Sequence, residues 1–146
     1  MDEWPIQITL PGEPIGKGRP RVRVVQYGGK RAFPQIYSPK ETVAYEKALA
    51  TMAVLAMRGR EPLAGQVYLI VTAYFGIPKS WSEKKAQMAM DGLVRPTVKP
   101  DWDNVAKVCC DSLNKIVWND DAQIIAASVV KLYSNTPRVE IQISPS

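Results

Sequence analysis

Four aspartates lie in two short acidic stretches of the C-terminal third of the sequence. Asp101 and Asp103 are separated by one residue in "KPDWDN", and Asp120 and Asp121 are adjacent in "WNDD". The chain has no histidine, which excludes a Ser-His-Asp or Cys-His nucleophile system and any His-based nuclease motif. Carboxylate oxygens without His or Cys ligands favour Mg²⁺ or Mn²⁺, and such a site would support phosphoryl transfer.

The spacing of Asp101 and Asp103 constrains where a helix can begin. Pro100 biases Lys99 toward an extended conformation, so we predict that the helix begins at or just after Asp101. Inside a regular helix the two aspartates would lie about 200° apart around the axis, whereas alternate residues of an extended chain point the same way. The carboxylates therefore converge only if Asp101 stays outside the helix. The alternative is an ordinary N-cap followed by a first-turn acid that the helix dipole favours.

The second acidic pair, Asp120 and Asp121, precedes an apolar strand, and strand propensity disfavours Asp. Three carboxylates that meet at one point repel one another unless a cation or raised pKa values relieve the repulsion. Acids from both stretches would therefore make a divalent-metal site. The alternative for "WNDD" is a solvated turn.

Lys107 lies one helical turn beyond Asp103 and could add positive charge to a bound phosphate. Asp103, Lys107 and Asp111 are spaced four residues apart, so they share one face of a helix that points away from the core. The same spacing is compatible with an intrahelical ion pair between Lys107 and either aspartate.

The formal net charge of +5 is concentrated in the N-terminal part of the chain. Between Glu13 and Glu41 there is no acid, and a field of one sign suits a phosphate backbone. The residues that we predict to contact DNA are Lys17, Arg19, Arg21, Arg23, Lys30 and Arg31. The alternative is a solubilising surface. Tyr27, Phe33 and Tyr37 could stack on splayed bases, or they pack in the core.

The elements that position these residues are strands and helices without regular alternation. The sequence predicts a first strand "WPIQITL", a hairpin that turns at Gly28 and Gly29, a strand "GQVYLIVTAYFGIP", a short helix "SWSEKKAQMAM", and C-terminal strands "AQIIAASVVKLYS" and "PRVEIQI". This order predicts an α+β fold with a mixed or antiparallel sheet packed against two or three helices. At 146 residues the chain fits one domain, residues 1–146.

The sequence predicts the start of one helix and the buried residues of two. Ser38 is predicted as the N-cap of the first, with Pro39 at the first helical position and Glu41 completing a capping box. Its predicted buried stripe consists of Val43, Ala44, Ala48, Met52, Leu55 and Ala56. In the helix after Asp101, the residues predicted to face the core are Val105, Val108, Cys109, Leu113 and Ile116.

Cysteine content and hydropathy restrict the compartment. Cys109 and Cys110 are adjacent, and a disulfide between neighbours is strained, so we expect both thiols to be helix-packing residues. No apolar run approaches the roughly twenty residues of a membrane span, and the N-terminus does not resemble a secretory signal. We therefore expect a cytoplasmic protein that has no membrane partner.

The stretch of about 33 residues from Lys99 to Lys131 resembles the signature of the RusA family of Holliday-junction resolvases. That pattern is one or two basic residues, D-x-D-N-x-x-K-x-x-x-D-x-L, a connector, and W-x-D-D-x-Q before an apolar strand. The counterparts in this chain are Asp101, Asp103, Asn104, Lys107, Asp111, Leu113, Trp118, Asp120, Asp121 and Gln123. The N-terminal part matches only through an opening strand and the basic "GKGRPRVR" segment.

The resemblance implies a homodimeric α+β endonuclease that binds four-way DNA junctions. Such enzymes use Mg²⁺ or Mn²⁺ to cut symmetrically placed phosphodiesters and leave 5′-phosphate and 3′-hydroxyl ends. By position, Asp101, Asp103 and Asp121 become the catalytic acids and metal ligands, Lys107 becomes a catalytic or phosphate-binding residue, and Asp120 becomes a further ligand. The resemblance also suggests a phage or prophage origin.

Trp102 replaces an aliphatic residue that is common in the family. It would pack on the core or lie beside the DNA, and we expect it to pack on the core. Two rival functions stay open. One is a nucleic-acid-binding protein without catalysis, in which the acids serve as caps and turns. The other is a nuclease that uses the same metal site on flaps or replication forks.

Overall fold

The computed structural model describes residues 4–18, 21–37 and 39–145. The strands are β1 Ile6–Pro11, β2 Arg21–Val25, β3 Phe33–Tyr37, β4 Val67–Gly76, β5 Ile124–Ser134 and β6 Arg138–Pro145. The helices are α1 Lys40–Met57, α2 Glu83–Met90 and α3 Trp102–Leu113, and a single turn of 3₁₀ helix spans Asp121–Gln123. The predicted α+β class is confirmed.

The main sheet is mixed and has the strand order β1-β6-β4-β5. β6 pairs antiparallel with both β1 and β4, while β4 and β5 are parallel. Parallel neighbours require a crossover connection, and here the crossover contains α2, an irregular segment and α3. The crossover thereby carries the first acidic stretch.

The core lies on one face of this sheet. Burial alternates along β4, so that Val67, Leu69 and Val71 are buried and the residues between them are more exposed. Ile6 and Ile8 of β1 share the buried face. In β6, Val139, Ile141 and Ile143 are all buried. These strands therefore have the period of two that a half-covered sheet requires.

α1 covers this face, but through a different stripe from the predicted one. Its buried residues are Thr42, Tyr45, Leu49, Ala53 and Met57. Val43, Ala44 and Leu55, all predicted to be buried, are exposed, whereas Met52 and Ala56 pack partly against the core. The prediction was wrong in part because α1 is apolar around much of its circumference, so that periodicity alone did not select the face that meets the sheet.

The start of α1 also differs from its prediction. Pro39 occupies the N-cap position and the helix begins at Lys40, one residue later than predicted. Ser38, the predicted cap, lies outside the described residues.

α3 packs with the predicted residues. Val105, Val108, Cys109 and Leu113 are buried, and Ile116 is partly buried against the core. Cys109 and Cys110 are free thiols, as expected. Burial raises the pKa of Cys109 to about 12. It also raises that of Cys110 to about 11, with a contribution from the negative charges of Asp121 and Asp111. Both residues act as packing groups in this helix.

The predicted basic hairpin is present as a separate two-stranded sheet of β2 and β3. Gly28 and Gly29 take φ values of 46° and 74° at its turn, a region that glycine enters without steric cost. The N–H of Lys30 donates a 2.9 Å hydrogen bond to the carbonyl oxygen of Tyr27, which closes the turn. The ladder stops at Val25 and Phe33, so the connecting loop is longer than the predicted two residues.

Within the described ranges, no helix is both long enough and apolar enough to cross a membrane.

Candidate active site

Asp101 occupies the N-cap position of α3 in an extended conformation, with φ −66° and ψ 153°. Its carbonyl oxygen accepts the first helical hydrogen bond, a 3.0 Å bond from the N–H of Val105. Within the described part of the chain, however, its carboxylate caps no backbone N–H of this helix. The half-exposed carboxylate instead pairs with the Lys99 ammonium group at 3.3 Å. The prediction that Asp101 stays outside the helix is confirmed, and its side chain is available for a ligand.

Asp101 and Asp103 line the same cleft. This cleft has a volume of about 690 Å³ and lies between the start of α3, the irregular segment before it and β5. Its lining residues are Thr97, Val98, Lys99, Asp101, Trp102, Asp103 and Lys131. The cleft therefore combines two carboxylates, two ammonium groups and an aromatic ring.

Lys131 belongs to this cleft but was not identified in the sequence analysis. Its ammonium group donates a 2.6 Å hydrogen bond to the carbonyl oxygen of Val98 and lies 5.0 Å from the centroid of the Phe75 ring. It thus joins β5 to the segment that leads into Asp101. The available signal was a single lysine in the otherwise apolar run "AASVVKLYS".

Trp102 does not pack on the core as predicted. It is 63% exposed and lines the cleft between the two aspartates. At the first turn of α3 the neighbouring chain is the irregular segment Thr97–Lys99. The indole therefore lies at the cleft rather than in the core.

Asp121 is held by a side chain from the preceding connector. Oδ1 of Asp121 accepts a 2.8 Å hydrogen bond from Nε1 of Trp118, and Trp118 is fully buried. The anchored indole therefore fixes the orientation of this carboxylate. Among the described residues that line the cleft of Asp101 and Asp103, Asp121 is absent.

Asp120 caps the 3₁₀ turn. Its Oδ1 accepts a 2.8 Å bond from the N–H of Ala122, and its own N–H donates a 2.7 Å bond to Oε1 of Gln123. Gln123 in turn donates to the carbonyl oxygens of Leu63 and Gly65. This reciprocal capping box accounts for the aspartate and glutamine of "DDAQ" and joins the turn to the segment before β4.

Lys107 forms the intrahelical ion pair that was one of its two predicted alternatives. Its ammonium group lies 2.8 Å from Oδ1 of Asp111. This hydrogen bond raises the pKa of Lys107 above its ordinary value, and the negative charge of Asp121 acts in the same direction. The carboxylate of Asp121 therefore interacts electrostatically with the Lys107 ammonium group on this face of α3.

Lys17, predicted to contact DNA, is engaged inside the protein. Its ammonium group lies 2.6 Å from Glu46 of α1 and 3.3 Å from Oδ2 of Asp111. The hydrogen bond to Glu46 raises the pKa of Lys17. The Asp111 carboxylate thus accepts hydrogen bonds from two lysines, Lys17 and Lys107. Burial acts to raise the pKa of Asp111, but the hydrogen bonds from Lys107 and Lys17 bring it below its ordinary value.

The other predicted DNA contacts lie on the hairpin or next to it. Arg21, Arg23, Lys30 and Arg31 are all exposed. Arg21 and Arg23 alternate along β2 and so share one face, and Nε of Arg23 donates a 2.8 Å bond to Gln35 across the ladder. Arg19 lies outside the described residues.

The aromatic side chains predicted to stack or pack are only partly described. Tyr27 is exposed. The side chains of Phe33 and Tyr37 lie outside the described set.

Asp101 and Asp103 are the acidic residues whose positions fit a divalent cation. In the described ranges, no group of three or more Asp, Glu, Cys or His side chains is close enough to hold a metal ion. Two carboxylates that share an open cleft nevertheless fit Mg²⁺, which is usually held by one or two carboxylates together with water and substrate phosphate. Asp101 and Asp103 have this chemistry.

Comparison with known proteins identifies the family of this chain. Residues 11–144 match a protein-family model described as endodeoxyribonuclease RusA. The chain belongs to the RusA endodeoxyribonuclease family. Membership implies a DNA endonuclease that acts on branched DNA as a Holliday-junction resolvase. The matched range contains both acidic stretches and the hairpin, so the resemblance stated from residues 99–131 extends over nearly the whole chain.

A curated relative also matches nearly the whole chain. The chain is 36% identical over 140 residues to the uncharacterized protein YqaN of Bacillus subtilis strain 168, with 94% of each chain covered. The name of this relative states no activity.

Proposed function

We propose that this RusA-family protein is a metal-dependent, structure-selective endonuclease that resolves Holliday junctions by paired symmetric cleavage. Its cellular role would be DNA recombination and repair. The observation that carries the proposal is the shared cleft of Asp101 and Asp103, in which the carboxylate at the helix N-cap position is left free of capping. An ordinary cap and first-turn acid would have used that carboxylate on the backbone.

Asp101 and Asp103 would hold Mg²⁺, with Mn²⁺ as a substitute. Asp121 and Asp120 are proposed as additional ligands from their positions in the family motif, since among the described residues only Asp101 and Asp103 share the cleft. When bound, the ion lowers the pKa of water to make a nucleophile and neutralises charge that develops on the phosphate. The two aspartates are reached from the open cleft, and the hydrogen bond from Trp118 leaves the second oxygen of Asp121 available.

Cationic side chains around the cleft would hold the DNA backbone. Lys99 and Lys131 line the cleft itself. Lys107 faces Asp111 and is mostly exposed, so its charge can also serve a phosphate at the same helix face. Arg21, Arg23, Lys30 and Arg31 would contact phosphates farther from the scissile bond. Arg19 is proposed to contact DNA as well, whereas Lys17 pairs with Glu46 and Asp111. Charged contacts of this kind make binding weaken as salt increases.

A homodimer would supply the second cut, because two-fold symmetry presents one site to each of two opposed strands. The exposed apolar face of the β2–β3 hairpin supports this proposal, because a second copy of the chain would cover it. Val22, Val24 and Ile36 share one of its faces and are 65%, 74% and 72% exposed. An isolated two-stranded hairpin is marginally stable in water, and burying this face would stabilise it. Sedimentation velocity would report the mass of the assembly.

The deciding experiment compares three DNA substrates. The purified protein is incubated with a synthetic four-way junction, a flap and a linear duplex, with Mg²⁺ or with EDTA, and the cuts are mapped on sequencing gels. We expect symmetric, Mg²⁺-dependent nicks in the junction, with 5′-phosphate ends. Equal cutting of the linear duplex would contradict structure selectivity.

The same experiment separates the rival functions. A nucleic-acid-binding protein without catalysis would bind the DNA and produce no nick on addition of Mg²⁺. A nuclease for flaps or forks would cut those substrates and leave the four-way junction intact.

A further inference from the structure

Trp102 is the tryptophan whose ring faces solvent. The chain has four tryptophans. Trp118 is fully buried, Trp4 packs partly against the core, and Trp81 makes an edge contact with Tyr133 at 5.1 Å. Trp102 is 63% exposed. Its uncovered ring is able to bind a ligand, and tryptophan contributes most to binding when its apolar surface is removed from water.

The surroundings of Trp102 specify the chemistry of that ligand. Its cleft also contains the exposed apolar side chain of Val98 and the ammonium groups of Lys99 and Lys131. An apolar platform beside two cations matches a group that has a flat aromatic face and a phosphate. The volume of about 690 Å³ lies within the range of roughly 300–1,000 Å³ that accommodates small-molecule-sized groups.

We propose that Trp102 is a stacking platform for an unpaired nucleobase next to the scissile phosphate. The inference rests on the proposed function, since Trp102 lies between the two aspartates that would hold the metal and its phosphate. A phosphate bound by Lys99 and Lys131 beside these aspartates brings the adjacent nucleoside to the indole. A base in continuous duplex is covered by its neighbours on both faces, whereas a base at a branch point can present a free face. Trp102 would therefore favour branched DNA over linear duplex.

The experiment measures junction binding in EDTA, so that it does not depend on metal or on catalysis. Stacking of one base on an aromatic side chain is worth about 1–3 kcal/mol, equivalent to about 5- to 150-fold in affinity. We expect Trp102→Ala to weaken junction binding by a factor in this range and to leave linear-duplex binding unchanged. Trp102→Phe should restore much of the loss, and Trp102→Leu should restore little. The control is Leu93→Ala, which removes an exposed apolar side chain outside the cleft.

A second arm of the experiment changes the DNA. Junctions that carry one abasic nucleotide at successive positions around the cleavage site are bound to the wild-type protein. We expect one position at which removal of the base weakens binding by the same factor as Trp102→Ala. At that position the abasic junction and the alanine variant together should lose no more than either alone, because both remove the same contact.

The outcomes separate this inference from the proposed function. Non-additive loss at one abasic position supports the stacking platform. Wild-type cleavage of junctions combined with unchanged junction affinity of Trp102→Ala overturns the platform and leaves the endonuclease standing. Absence of both binding and cleavage of junctions by the wild-type protein overturns the two together.

Discussion

The N–H of Lys17 donates a 2.9 Å hydrogen bond to the carbonyl oxygen of Asn104. This bond joins the loop after β1 to the first turn of α3, the turn that carries Asp103. The same loop approaches Pro100 closely at Gly16. The position of the two acidic side chains therefore depends on a segment from the opposite end of the chain.

Gly16→Ala tests this dependence. A Cβ at Gly16 would lie 2.7 Å from Cβ of Pro100 and 2.9 Å from Cβ of Asn104, so the loop or the helix start must shift. We expect a loss of about 1–3 kcal/mol in the free energy of unfolding and slower junction cleavage. Urea denaturation and single-turnover cleavage measure the two effects. The control is Gly65→Ala, since no described atom lies within 4 Å of that position. Equal behaviour of the two variants would contradict the proposed role of the loop.

Lys17→Met tests whether this lysine stabilises the fold or binds DNA. The substitution removes the charge that Glu46 and Asp111 share, and we expect the free energy of unfolding to fall by roughly 1–2 kcal/mol. The matched variant is Lys30→Met in the exposed hairpin turn, which should change stability by less than about 0.5 kcal/mol and weaken DNA binding. Denaturation and binding isotherms at several salt concentrations report both quantities. A stable Lys17→Met variant with weak binding would assign Lys17 to DNA instead.

Asp103→Asn tests the metal site. The change removes a negative charge that would hold the cation and face the phosphate, so cleavage should fall by at least about 100-fold, the scale of one catalytic electrostatic group. Junction binding should be retained or become tighter, because repulsion of phosphate is reduced. Gel-shift assays in EDTA and cleavage time courses in Mg²⁺ separate the two effects. Undiminished cleavage would remove Asp103 from the site.

The Asp111 carboxylate makes stability depend on pH in acid. Its pKa in the folded protein is below the ordinary value, so its stabilising contribution is complete above the unfolded-state pKa of about 3.9 and is lost as the pH falls through the folded value. We expect the difference in unfolding free energy between wild type and Asp111→Asn to be largest near neutral pH and to shrink below about pH 4. Denaturation curves collected between these conditions measure it. A constant difference would mean that the ion pairs with Lys107 and Lys17 do not stabilise the fold.

Trp118→Phe tests how Asp121 is positioned. The variant removes the Nε1 donor and part of a fully buried side chain, with an expected loss of about 1–3 kcal/mol in stability. If Asp121 is catalytic, the cleavage rate of the folded fraction should fall while junction affinity is kept. Trp81→Phe is the control, since Trp81 packs on Tyr133 rather than on an acid. Equal cleavage rates for the two variants would exclude a positioning role for Trp118.

Local sequence was sufficient to predict where α3 begins and which of its faces is buried. The proline before Asp101 and the spacing of Val105, Val108 and Cys109 are contained within a few residues of chain, and both predictions agree with the structure. Strands β1, β4 and β6 were also predicted from local sequence. In the structure they show the period of two that a sheet covered on one face imposes. The string of acids and its spacing also indicated the family correctly.

Only the tertiary structure decided which side chains are buried and which partners they have, because both depend on segments that are distant in the sequence. α1 is apolar on more than one side, and only docking on the sheet selected Tyr45 and Leu49 over Val43 and Leu55. In the sequence, Lys17 is one of several cations in a basic run. In the folded protein it pairs with Glu46 and Asp111. Trp102 was expected in the core, but the irregular segment before α3 leaves its ring in the cleft. Sequence periodicity specifies which side chains share a face, whereas burial and pairing depend on distant segments that meet that face.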